Sequence, residues 1–205
     1  MKQKSKWLLL AVGVALAALL LSFTSFAADC KQIRRSVLRL HVLANSDNEE
    51  DQQLKLLVRD AVTAQCAGLF DAAADSAEAR QTAAAALQTI EQVAEQTLRA
   101  HGCTHSVHAE LTNMYFATRT YDAVTLPAGM YDAVRITLGK GEGKNWWCVV
   151  FPPLCVSAAL EHKTMQDVLD PSQLDVVQNS QNYRVRFKLV EWWESLANTV
   201  RGWFD

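Results

Sequence analysis

Cys148, His41 and Asp47 supply the parts of a cysteine hydrolase: a thiol nucleophile, an imidazole to activate it and a carboxylate to orient the imidazole. No local signature joins them, so an extracytoplasmic hydrolase acting on peptide or cell wall stands as the alternative reading. His101, Cys103, His105 and His108 offer good zinc donors within eight residues. Strand alternation from His105 sets His105 and His108 on opposite faces, so no metal is expected there. Gly139 to Asn145 (GKGEGKN) superficially resembles a phosphate loop. It lacks the GxxxxGK[ST] spacing, and it joins two strands rather than opening a helix whose N–H groups could hold an anion. A hairpin loop and no cofactor are expected. Five cysteines cannot all pair within one chain. Cys148 and Cys155 flank Pro152-Pro153 and are the candidate disulfide.

These residues need elements to position them. Val37 to Ala44 alternates, with Leu38, Leu40, Val42 and Ala44 on one side and Arg39 and His41 on the other, which predicts a strand. Asn45 to Asn48 is a turn, and Ser46 with Glu49 reads as a capping box for a helix running to about Phe70. Asp75 with Glu78 opens a second, alanine-rich helix that Gly102 stops. Period-two patterns follow around residues 107–111, 115–121, 134–138 and 146–151, ended by Pro152-Pro153. The expected fold is α+β: a mostly antiparallel sheet with two long helices packed on one face, preceded by an N-terminal signal or anchor helix. Tyr183 to Leu189 alternates and predicts one more strand, and residues 190–204 predict an amphipathic helix with Trp192, Trp193 and Trp203 on its apolar side.

The ends of the chain set its compartment. Lys2, Lys4 and Lys6 precede 22 uncharged residues, Trp7 to Ala28. Its densest apolar part has signal-peptide length, and Ser25-Phe26-Ala27 offers small residues for cleavage after Ala27. The same stretch is long enough to span a bilayer uncleaved. In either case the lysines stay inside and everything from Asp29 onward lies outside the cytoplasm. The whole chain carries 20 Lys+Arg against 22 Asp+Glu, and without the three lysines the remainder has a net charge of −5. The whole-chain net charge of −2 and pI of about 6.2 argue against a general nucleic-acid binder. Residues 29–35 read as a linker. The expected organisation is a signal peptide or membrane anchor over 1–28, an extracytoplasmic domain over 29–180 and a C-terminal strand and amphipathic helix over 181–205. Membrane contact is expected through the N-terminal segment if it is not cleaved, while the tryptophans of the C-terminal helix read as a docking face, a membrane-surface contact or a cap on the end of the sheet.

Two blocks go beyond pattern. Leu38 to Val62 carries HVLANSDNEEDQQLKLLVRD, and Leu126 to Cys155 ends in GEGKNWWCVVFPPLC. Together they resemble the stage II sporulation protein R family of endospore-forming bacteria over residues 33–160. The resemblance implies a signal rather than an enzyme. It implies export from the forespore into the space between forespore and mother cell. There the protein would trigger the membrane-embedded aspartic peptidase that removes the pro-sequence of the sporulation sigma-E factor. No catalytic residue carries over. The contact surface expected for that partner is the polar set His41, Asn45, Asp47, Asp51 and Arg59, with Lys144, Asn145 and Trp146 of the glycine-rich loop.

Overall fold

The computed structural model describes residues 2–66, 68–70, 72–121, 123–154 and 164–202. Its centre is the strand β1 (Leu38–Leu43). Three more strands complete a sheet: β2 (Val107–Phe116), β5 (Gly129–Leu138) and β6 (Asn145–Phe151). A short ribbon, β3 (Arg119–Tyr121) with β4 (Val124–Leu126), lies between β2 and β5 in the chain. The sheet order is β2-β5-β1-β6. β1 runs parallel to β5 and antiparallel to β6, and β2 is antiparallel to β5, so the sheet is mostly antiparallel.

Both faces of β1 are covered. Leu38, Leu40 and Val42 face the helices α2 (Glu49–Cys66) and α3 (Ser76–Ala100). α3 meets the sheet through Ala79, Ala83, Ala86, Ile90, Ala94 and Leu98. Small alanines along that stripe let the helix lie close to the strands, and they lose no side-chain entropy on burial. Asp75 caps α3 by accepting from the Ala77 and Glu78 N–H groups, as the sequence predicts. The opposite face packs against α1 (Lys2–Arg35), α5 (Pro171–Gln178) and α6 (Arg184–Arg201). A single-turn helix, α4 (Met165–Val168), adds Met165 to that second core.

Several expectations are corrected. Residues 29–35 are no linker: they continue α1, and Cys30 and Ile33 are fully buried. α2 stops at Cys66, short of Phe70. β2 is one continuous strand to Phe116, and Arg119 to Tyr121 belongs to the separate ribbon. Residues 183–189 are not a strand. Phe187 and Val190 are buried one helical turn apart, while Val185 and Leu189 are exposed. Period two there is a coincidence of composition; the buried set follows the helical period.

Arg39 is fully buried on the α1 side of β1. Its guanidinium lies 4.0 Å from the Phe116 ring centroid and 4.8 Å from that of Tyr131, and it donates to the Tyr121 hydroxyl. Nε and Nη1 have no hydrogen-bond partner. Burial pushes its pKa down. Buried charges without a carboxylate are costly, and apolar replacements of similar volume are often neutral or stabilising. Arg39→Met is therefore expected to leave stability unchanged or raise it by up to about 4 kcal/mol. A fall in the urea midpoint would show that the aromatic cage stabilises the cation by more than burial costs.

Candidate functional site

The site begins at the turn after β1. β1 delivers residues 44–48 to the C-terminal end of a central strand, where α2 begins. Asn48, not Ser46, caps the helix: its Oδ1 accepts the Asp51 N–H at 2.7 Å. Ser46 turns inward instead and donates to Asp51 Oδ2 at 2.6 Å. Asn45 Nδ2 donates to the same oxygen at 2.8 Å, and His105 Nε2 lies 3.2 Å from Oδ1. Asp51 is buried at the centre of this fan. Burial works against its ionisation, but the hydrogen bonds from Ser46, Asn45 and His105 together outweigh it and hold the carboxyl below its usual range.

The glycine-rich loop closes over this turn. It is not a hairpin loop, because β5 and β6 are not neighbours: β1 lies between them, and residues 139–144 cross its end. That crossing is sewn to the turn. Asn45 Oδ1 accepts the Lys140 N–H at 3.0 Å, the Asn45 carbonyl accepts from Glu142 at 3.2 Å, and the Ala44 carbonyl accepts from Gly143 at 2.9 Å. Asp47 Oδ1 accepts the Lys144 N–H at 2.7 Å. From α2, buried Lys55 donates to the Lys144 carbonyl at 3.0 Å.

Glycine is required where the two chains touch. A Cβ on Gly143 would meet the Ser46 carbonyl oxygen at 2.2 Å, and that atom is backbone. Gly143→Ala is expected to cost about 1–3 kcal/mol, the usual range for overpacking. Thermal unfolding checks it, and an unchanged melting temperature would mean that the loop does not rest on the turn.

The remaining predicted residues sit around this unit. His41 is buried, stacks on Trp147 with centroids 4.0 Å apart at 7°, and its Nε2 donates to Asn145 Oδ1 at 2.9 Å. Burial lowers its pKa, which favours the neutral ring. In that form Nε2 donates to Asn145. Trp146 projects to the other face of β6, half-buried, under the Arg59 guanidinium at 4.3 Å. Arg59 also pairs with Asp60 at 2.6 Å. Asp47, Lys144 and Asn145 are exposed and form the outer surface, whereas His41, Asn45 and Asp51 hold it from within. His105 is the member of this network that belonged, by sequence, to a different cluster. Its proximity to Asp51 spans 54 positions and carries no local signal.

The other chemical arrangements come apart. In the β1–β6 register Leu40 faces Cys148 and His41 faces Trp147, so Cys148 and His41 point to opposite sides of the sheet. Cys148 is also held in a disulfide; Cys155, its expected partner, lies outside the described residues. The Cys148–His41–Asp47 trio is therefore not assembled. His101 bonds the Thr97 carbonyl at 2.9 Å, His108 pairs with Glu91 at 3.3 Å, and Cys103 is a free thiol packed beside the first core.

The family model described as "Stage II sporulation protein R" matches residues 34–161. A protein of Bacillus subtilis (strain 168) named "Stage II sporulation protein R" is 42% identical over 118 residues, covering 58% of this chain and 53% of that protein. The chain thus spans about half the length of that relative. No solved structure matches.

Proposed function

This chain belongs to the stage II sporulation protein R family, which gives it a role in sporulation, and we propose that it acts there as an exported signal that activates a membrane-embedded peptidase. That peptidase is the one that removes the pro-sequence of sigma-E, and the signal acts by binding, without chemistry of its own. The observation that carries this reading is convergence. Contacting residues of the two sequence strings lie 95 and 97 positions apart, yet the strings build one unit, the 44–48 turn bonded to the 139–144 loop. The product is a braced polar surface, with Asp47, Lys144 and Asn145 outermost.

A trigger works by binding the active state of its target better than the inactive state. Moving a population from 1:99 to 99:1 takes about 5.5 kcal/mol of differential affinity. A preorganised surface supplies such a difference without first spending binding energy on ordering its own loops. Lys144→Glu tests the surface directly. Its side chain is exposed, and the loop is held by its backbone groups, not by its ammonium. The substitution is expected to lower pro-sigma-E processing about tenfold, equivalent to roughly 1.4 kcal/mol of lost contact, with the melting temperature unchanged. Wild-type processing would place the contact surface elsewhere on the domain.

A further inference from the structure

The exposed apolar side chains are gathered in one region. Of the large hydrophobic residues exposed among those described, all but Leu56 and Leu57 lie on α1 or α6. On α1 they run from Trp7 to Leu21, and on α6 they are Val185, Leu189, Trp192, Trp193, Leu196 and Val200. The two sets meet in a groove of about 500 Å³ between Leu16 and Leu20 of α1 and Val185 and Leu189 of α6. The stripe on α6 is therefore an extension of the surface of α1.

The same helix is built into the domain. α1 runs unbroken through Ser25, Phe26 and Ala27, where cleavage is expected if the segment is a signal peptide. Phe26 is 2% exposed; its ring stacks on Tyr183 at 5.5 Å and meets Phe187 edge-on at 5.4 Å. Arg186 donates to Ser22 at 2.9 Å, and Arg34 pairs with Glu194 at 3.0 Å between two largely buried side chains. Cleavage after Ala27 would remove Phe26 from a packed core and leave Tyr183 and Phe187 facing a void.

We propose that α1 stays attached after export as a membrane anchor, and that the apolar stripe of α6 lies in the outer-leaflet interface beside it. The lengths agree. At 1.5 Å per residue, the stretch from Leu16 to Phe26 that faces α6 lies roughly 14–29 Å along the helix from Trp7, the outer half of a hydrocarbon core about 30 Å thick. α6 has the composition of an interfacial helix: tryptophans on its apolar side, with the exposed Arg184 and Lys188 able to extend toward headgroup phosphates. The bilayer is the occupant favoured over a second protein because the stripe is continuous with a helix long and apolar enough to cross a membrane.

The test uses the full chain, exported in a bacterial host. Its mass is measured after isolation, and it is then reconstituted into phosphatidylethanolamine–phosphatidylglycerol vesicles with brominated acyl chains. The expected chain retains its N-terminal segment, stays with the membrane through an alkaline wash, and shows tryptophan quenching. The variant Trp192→Phe with Trp193→Phe is expected to show roughly twofold less quenching, because two surface tryptophans are gone. A product beginning at Ala28 in the soluble fraction would overturn the proposal. An intact chain whose quenching is the same in the double variant would overturn it too, since α6 would then face water or another protein.

Discussion

Phe26→Ala is expected to destabilise the domain by about 3–5 kcal/mol, the range for removing a buried phenylalanine. The ring fills the space between α1 and α6 and is almost wholly shielded from water. Its loss forfeits transfer free energy and leaves a cavity lined by Tyr183 and Phe187 that a helix clamped by Arg34–Glu194 cannot close. For a chain of this size that corresponds to a fall of roughly 6–20 °C in melting temperature. Thermal unfolding of the full chain in detergent measures it, with Leu10→Ala as the exposed control on the same helix. A change of no more than about 0.5 kcal/mol, the size of an ordinary surface substitution, would mean that α1 does not dock as described.

Asp51→Ala carries the second large effect, about 3–5 kcal/mol, because three hydrogen bonds to a buried charged group, each contributing roughly 1.5–3 kcal/mol, are lost together. Three donors converge on the carboxylate, from Asn45, Ser46 and His105. Asn45 also accepts from the glycine loop, so the loss reaches the outer surface. Signalling is therefore expected to fall together with stability, although Asp51 itself is buried. The sign with pH follows from its depressed pKa. The stabilisation is complete above the unfolded-state value, near pH 4 for an aspartate, and is lost as pH falls through the lower folded value. Wild type should therefore lose stability in acid more steeply than Asp51→Ala. Parallel curves from urea unfolding between pH 5 and pH 2.5 would remove Asp51 from its bracing role.

Much of this is legible in the residues, and most of what is not has a common cause. β1 shows in the alternation of Leu38, Leu40 and Val42, because a strand's facing pattern is local. The alanine-rich helix shows through its cap and stop, which are local as well. What was hidden depends on partners distant in the chain. Tyr183 and Phe187 look like one side of a strand until Phe26 is seen to face them from a helix more than 150 residues earlier. The glycine loop looks like a hairpin until β1 is found between its two strands. Arg39 looks like the polar side of a half-exposed strand, yet it is fully buried, with Phe116, Tyr121 and Tyr131 packed around its guanidinium. The turn chemistry was misassigned by two residues for a different reason. Ser46 and Asn48 are both good caps, and Ser46 is drawn away by the buried carboxylate of Asp51. The candidate surface was recognisable as two strings, but that they form one object is a fact of the sheet order.

The central claim, activation of a peptidase by binding, is tested most directly by co-expressing the chain with the membrane-embedded peptidase and pro-sigma-E in a bacterium that does not sporulate. The ratio of mature to precursor sigma factor is read by immunoblot. The account predicts processing only when the chain and an active peptidase are both present, reduced by Lys144→Glu and restored by the wild-type chain. No increase in processing, with all three proteins made and the chain exported, would contradict it.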